Sequence, residues 1–417
     1  MVERCCDARP TECRRSGFHR VSPRAGREHA MTGTRHERPG RAAEAERLRR
    51  LFRFFGATQG AGRSPVYETL SEGVAGDDGL LALLLDTPEE QRRPSLLFAA
   101  VNLLLASRRD SELAAYYPIH GGRRAVDDHL VPTFSAFCDR HHDELARLLA
   151  RRSTQTNEIR RCVALRLGVE HVHRHWPGPV AFVELGASAG LNLLFDHYDY
   201  RLDGEATTGT GASPVVVSCE VRGSSGAGLL GTPPRITRRL GIDRHPIDLS
   251  DLDARAWLEA FIWPEQTGEL ATLRGAIDLA ASTSAASVVT GDATTDTARI
   301  LGELPGREPV VVFTASLLSY LTTQARAAFV AQLHEAARLR PVAWVFAEAP
   351  GLLATTALDV AALRGPLARR NSLYLVGASL RGADHHHDRL LGLADPYLRW
   401  FAPARDPADD FRWVPAD

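Results

Sequence analysis

Lysine is missing from the sequence: all 50 strongly basic residues are arginine. Without it there is no Walker-A lysine, no Schiff-base nucleophile and no Ser-x-x-Lys pair. Methionine is nearly missing too, with Met1 and Met31 alone, so starts at Met1 and at Met31 both stay open. The six cysteines, Cys5, Cys6, Cys13, Cys138, Cys162 and Cys219, show no paired metal-ligand spacing. Cys5, Cys6 and Cys13 sit in a Gly/Arg/Ser-rich stretch with no core to hold them, and read as solvated thiols. No apolar run approaches the roughly 18 residues of a membrane span, and residues 1–40 hold no signal-peptide core. A formal net charge of -1 provides no field to draw nucleic acid or an acidic membrane. The expectation is a cytoplasmic protein with reduced cysteines, no metal, no nucleic-acid or membrane partner, and an oligomeric state left open.

What is present changes character along the chain. Residues 1–40 are polar and aperiodic, which predicts a disordered tail. From 41 to 177 the apolar residues follow a helical period, as in Leu48, Leu51, Phe52 and Phe55. Helices are expected over 76–85, 96–105, 134–149 and 159–172, punctuated by Pro65, Pro88, Pro94, Pro118 and Pro132. This part reads as a helical cap domain. From 178 to 417, short apolar runs at 180–185, 236–242, 287–290, 310–314 and 342–347 alternate with helical stretches at 191–198, 254–262, 270–280 and 325–339. Alternating strands and helices predict a parallel sheet with right-handed crossovers. Runs at 372–380 and 389–393 predict a closing antiparallel hairpin. The fold class expected is α/β, a Rossmann-like sheet behind an all-helical region, with an insertion at 199–235 carrying one strand at 215–219.

The densest local signal is Val183-Glu184-Leu185-Gly186-Ala187-Ser188-Ala189-Gly190-Leu191-Asn192, a strand entering small residues and then a helix. Small residues let a ligand approach the backbone, and the first helical N–H groups favour its polar atoms. Asp243 ends a second strand, and two ionised oxygens there suit two ribose hydroxyls; the plainer role for Asp243 is an Asx-turn. The interval from Glu184 to Asp243 is about twice the roughly 30 residues of one crossover unit, so 199–235 must be inserted. Gly291-Asp292-Ala293 follows the third strand. In order, these three segments resemble the motifs of class I S-adenosylmethionine-dependent methyltransferases, with Ser188 in place of the middle glycine. That resemblance implies a cofactor site of Glu184, Gly186, Ala187, Ser188, Gly190, Asn192, Asp243, Asp292 and Ala293. Ser316, Tyr320 and Glu348, after the fourth and fifth strands, are the candidate acceptor contacts or base. Each has a plainer role: a turn cap, a packed ring and a solvated acid. No Asn/Asp-Pro-Pro-aromatic motif and no Pro-Cys nucleophile occurs here, which points away from nucleobases and toward a small-molecule acceptor.

The chain also resembles a bacterial family known as domain of unknown function 2332. The resemblance runs from about Leu51 to Trp400. It is carried by Arg63-Ser64-Pro65-Val66-Tyr67, Ala114-Ala115-Tyr116-Tyr117-Pro118, Thr154-Gln155-Thr156-Asn157-Glu158, Glu184 to Asn192, and Trp263-Pro264-Glu265-Gln266. In the helical region Tyr116, Tyr117, Gln155, Asn157 and Glu158 could line a lid, or cap helices, while Trp263 is expected in the core.

Two readings compete with a methyltransferase. Gly186-Ala187-Ser188-Ala189-Gly190 fits the G-x-S-x-G elbow of serine hydrolases, with His120-Gly121-Gly122 upstream, and Asp292 and His385, His386 or His387 downstream. Against it, such an elbow follows several strands, whereas here it ends the first, and the histidine trio reads as an exposed hairpin tip. The other reading is a non-catalytic scaffold of the same fold.

Overall fold

The computed structural model describes residues 40–209, 211–283, 285–356, 358, 373–382 and 386–404. The tail expected over 1–40 lies outside them, Gly40 excepted, as does His385.

The chain opens with helix α1 (Arg41–Phe55), which buries Leu48, Phe52 and Phe55. Helix α2 (Pro65–Gly76) was not foreseen, yet its start is well specified. Pro65 occupies the first turn and Ser64 accepts from Tyr67 N. Helices α3 (Asp78–Leu85) and α4 (Pro94–Ala106) match two expected stretches. The single helix expected over 134–149 is instead two, α5 (Leu130–Arg140) and α6 (His142–Arg151). His141 leaves the helical region (φ -110°, ψ 21°) between them. Its Nδ1 reaches Glu144 at 3.0 Å and its ring packs on Phe137. Both pieces bury one apolar face, so the period runs through the break. Helix α7 (Cys162–His175) then leads into the sheet.

The helical core is aromatic. Tyr67 stacks on Phe98 with ring centroids 4.4 Å apart, and Trp263 lies 5.4 Å from both Tyr67 and Phe55. Trp257 and Trp263 come from the later α/β segment, so one apolar cluster joins the two stretches. Buried Asn102 fastens the junction by donating to Ala260 O and Ile262 O, both at 2.9 Å.

In chain order the rest comprises β1 (Val180–Leu185), β2 (Asp199–Leu202), β3 (Glu205–Thr208), β4 (Val216–Val221), β5 (Ile236–Asp243), α8 (Leu252–Glu259), α9 (Thr267–Ser282), β6 (Ser287–Thr290), α10 (Thr297–Glu303), β7 (Val310–Ala315), α11 (Thr323–Ala337), β8 (Val342–Glu348), β9 (Tyr374–Arg381), β10 (His386–Ala394) and β11 (Trp400–Pro403). Eleven strands form one sheet in the order β3-β2-β4-β11-β10-β9-β8-β7-β1-β5-β6. Its parallel part, β6-β5-β1-β7-β8, has the doubly wound order third-second-first-fourth-fifth. Strand β1 is buried on both faces: Phe182 joins the cluster with α7 and α9, while Ala181, Val183 and Leu185 join that with α10 and α11. Buried on both sides, such strands read as continuous apolar runs. The expected hairpin is β9–β10, antiparallel and placed beside β8.

Three expectations are corrected. The stretch 191–198 is a 3-10 helix over Leu191–His197, irregular at Leu194, because Leu191, Leu193, Leu194 and Phe195 are all buried rather than lining one face. The insertion carries three strands, β2, β3 and β4, and joins the sheet through β11. His386 and His387 lie within β10, paired with Arg381 and Leu380, not at the hairpin tip. Among the described residues, no helix is long and apolar enough to cross a membrane.

Candidate functional site

Strands β5 and β7 flank β1, and the chain leaves the sheet in opposite directions on either side of it. Loops at the carboxyl ends therefore diverge, which opens the usual ligand crevice of doubly wound sheets. The turn after β1 is pinned from below. Gly186 N and Ala187 N donate to Ile242 O of β5, at 2.8 and 3.3 Å. Gly241 permits this closeness: a Cβ there would lie 2.7 Å from the Ala187 Cβ. Gly190 adopts a left-handed φ of 73° that suits glycine.

Ser188 and Ser316 share that region, at φ 54° and 63°. For residues with a Cβ this is strained backbone, and such strain concentrates at functional sites. The two serines follow β1 and β7, on the two sides of the crevice.

Asp243 closes the turn from β5. Its Oδ2 accepts from Ser188 N at 2.8 Å and its Oδ1 from His245 N at 2.8 Å. The Asx-turn is thus real, and each oxygen keeps a further lone pair. Gln155 donates to His245 O, and Asn157 accepts from Leu191 N at 3.3 Å. These two residues of the helical region therefore sit against the turn. Tyr116 and Tyr117 do not: Tyr116 bonds Asp127, and Tyr117 packs near Tyr67. Glu158 accepts from Arg160 N.

The turn's amide groups are largely engaged. Gly190 N bonds Ala187 O, alongside the bonds from Gly186, Ala187, Ser188 and Leu191. This differs from the amide cradle expected from sequence and leaves recognition to side chains. Asp292 is engaged as well, by Arg244 Nη2 at 2.5 Å and by Thr294. That pair bridges the ends of β5 and β6, with Ala293 buried behind it.

Beneath the turn lies a chain of buried polar groups. Glu184 is 4 % exposed. Asn192 donates to its Oε1 at 2.8 Å and accepts from Cys162 Sγ at 3.3 Å. Asn192 thus faces inward. Glu184 Oε2 and Ser188 Oγ are buried without a hydrogen-bond partner. Burial pushes the Glu184 carboxyl up to about 8, against the opposing pull of Asn192 and Arg161.

A second acid lies across the crevice. Glu348 ends β8 and is fully buried, so it is not the solvated carboxylate that sequence alone allowed. It accepts from Leu317 N at 2.9 Å and from Leu318 N at 3.3 Å. Burial pushes it too up to about 8, opposed by those amides, Thr314 and Arg161. Ser316 Oγ lies 2.6 Å from Tyr374 OH. Tyr320 is half exposed, with the Arg93 guanidinium 4.6 Å over its ring. Sequence reasoning missed Arg161 and Tyr374. Arg161 lies just before α7, donates to Ala315 O, and holds a buried Nε with no partner. A cavity of about 350 Å³ opens beside Gly190, bounded by Leu194, Pro246, Ile247, Leu249 and Val288.

Among the described residues, the groups of a hydrolase are not brought together. His386 Nε2 bonds Ser379 and Asp388. His387 pairs with Leu380, which pairs with Ala343 near the start of β8, at the opposite end of the sheet from Ser188. The amides of Gly121 and Gly122 bond Pro118 O and Tyr117 O, so they form no oxyanion hole.

The family described as "Uncharacterized protein conserved in bacteria (DUF2332)" matches residues 49–402. A comparison with curated proteins finds no match.

Proposed function

Because the chain belongs to that family, whose description names no activity, we propose a function from geometry: an S-adenosylmethionine-dependent methyltransferase acting on a small molecule. One observation carries the reading. Asp243, at the carboxyl end of the strand beside β1, lies against the small-residue turn with a lone pair left on each oxygen. Two adjacent ribose hydroxyls match that donor requirement.

Other features fit the same cofactor. The engaged turn amides leave no nest for a pyrophosphate, which disfavours a dinucleotide, whereas S-adenosylmethionine carries no phosphate. The buried Glu184 Oε2 and Ser188 Oγ lack partners and would meet the polar amino-acid end. The cavity beside Gly190, lined by apolar side chains together with Asp248 and Thr283, falls within the lower range of ligand pockets and would take a flat base with polar edges.

The cofactor supplies an electrophilic methyl group; the chain's own part is placement and exclusion of water. Burial favours the protonated form of Glu348 and Glu184 in the crevice, so the Glu184 proton would be drawn away when a cationic cofactor arrives there. Ser316 and Tyr374 offer a paired hydroxyl contact for the acceptor. Gln155 and Asn157 hold the helical region against the turn, as a cap over the site.

Isothermal titration of the whole protein with S-adenosylmethionine and S-adenosylhomocysteine tests the proposal. Binding of both is expected; no heat and no thermal shift at millimolar ligand would sink it. Asp243→Ala should cost about 1.5–3 kcal/mol of that binding, one to two decades in affinity, with an unchanged circular dichroism spectrum. Binding without transfer to any acceptor would favour a scaffold. A fluorophosphonate that labels wild type but not Ser188→Ala would overturn the methyltransferase reading in favour of a serine hydrolase.

A further inference from the structure

The opposite end of the sheet carries a cluster that the site above does not use. His171 and His175 stand one turn apart on α7, so both project from one face of the helix. Helix α7 packs on the sheet over β8 and β9, with Val345 of β8 beneath its Gly168. Strand β10 lies next to β9, and its second residue, His387, meets the exposed end of that helix face. Ring centroids are 4.5 Å apart for His171 and His175, and 6.0 Å for His175 and His387. One ligand nitrogen from each of the three lies within 4.8 Å of the others.

The hydrogen bonding sets the His175 ring and leaves a nitrogen of His171 unused. His175 Nδ1 lies 3.0 Å from His171 O, and a carbonyl can only accept, so Nδ1 carries the proton and Nε2 keeps its lone pair. A backbone carbonyl on the distal nitrogen is the usual second partner of a metal-bound imidazole. His171 Nε2 is buried with no hydrogen-bond partner.

We propose that His171, His175 and His387 bind a divalent transition-metal ion of the zinc class, tying α7 to β10. Three imidazole ligands with no oxygen ligand select zinc, nickel or copper over magnesium and calcium. Arg174, paired with Glu170, and Arg389 also face His171. Their positive charge further disfavours ions held by charge alone. Tetrahedral zinc–nitrogen bonds of about 2.0–2.1 Å place ligand nitrogens roughly 3.3 Å apart. Rotation of the exposed His175 and His387 rings supplies the remaining closure. The fourth position is left to water. This ion would sit at the amino ends of the parallel strands, so the proposal stands independently of any cofactor at the carboxyl ends.

The test is titration of the whole, metal-stripped protein with zinc, and with cobalt for its visible ligand-field bands, alongside thermal melts. One ion per chain and a higher Tm with zinc are expected. His171→Ala, His175→Ala and His387→Ala should each weaken binding at least tenfold, while His386→Ala leaves it unchanged. A protein with Cys5, Cys6 and Cys13 replaced by serine should bind as wild type does. Undiminished binding in His387→Ala would overturn the proposal, because the helix pair alone would then account for it. Loss of binding in the cysteine variant, or no binding by wild type, would overturn it equally. Circular dichroism in chelator confirms that each variant is folded before it is scored.

Discussion

At the carboxyl ends of the parallel strands, Glu184 and Glu348 are buried and pushed up to about 8. At the amino ends, Glu308 lies partly open to solvent beside Thr237, whose hydroxyl bonds its Oε1 at 2.5 Å and holds its carboxyl below the usual range. Arg340 stitches the same end by donating to Leu304 O at 3.0 Å and Glu308 O at 2.7 Å. One residue type thus takes opposite charge states at the two ends of one sheet. The difference lies in hydration: a carboxylate with water and a hydroxyl stays ionised, while one sealed under a turn keeps its proton. Unpartnered buried polar atoms occur at both ends, at Glu184, Ser188 and Arg161 on the carboxyl side and at Arg340 and His171 on the amino side; on the carboxyl side they stand beside acids that burial pushes up.

The sharpest way to break this contrast is by pH. Both acids have folded-state values above the ordinary 4.5, so the folded state holds protons that the unfolded state has released. Their contribution is complete below about pH 4.5 and is lost as pH rises toward about 8. The loss is up to about 1.4 kcal/mol per pH unit for each group. Urea unfolding at pH 5, 6.5 and 8 should show wild type falling relative to the double variant Glu184→Gln/Glu348→Gln. Parallel profiles for the two proteins would mean that the acids are ionised in the fold.

Next in size is Gly168→Val, which strikes the element joining both ends. A Cβ at Gly168 would lie 2.1 Å from Val345 Cγ1. Overpacking of that kind costs about 1–3 kcal/mol, read as a lower urea midpoint. A neutral result would show that α7 does not need its present depth on the sheet. The smallest effect concerns the proposed cofactor. A cation placed beside Glu184 should ionise it, so binding at pH 7 should release about one proton and strengthen by at most about tenfold per pH unit. Titration in two buffers of different ionisation enthalpy measures this, and equal heats would detach Glu184 from the cofactor.

How much of this was legible follows from where each signal lies. The five parallel strands stand out because each is a short apolar run between turn residues. Glu184 and Asp243 stand out because each ends such a run. The strands β2, β3 and β11 are four residues each and lack the paired valines, Val288 and Val289, that mark the equally short β6, and α2 owes its start to Ser64 and Pro65 more than to apolar spacing. The 3-10 segment after Gly190 was misread because complete burial imitates an amphipathic face. Arg161 and Tyr374 reach the acids from before α7 and from the start of β9, a proximity set by the strand order. The third histidine near His171 and His175 was hidden in the same way: its strand had to be placed before it had neighbours.

Helix α7 has 14 residues, hence a length of about 21 Å. Arg161 precedes its first turn at the acid pair, and His175 ends it. Its tightest seat on the sheet, Gly168 against Val345, falls at its middle. Buried along most of its length, the helix is a fixed spacer of about 21 Å, so one rigid element sets both where the Arg161 guanidinium stands at the carboxyl end and where His171 and His175 stand at the other.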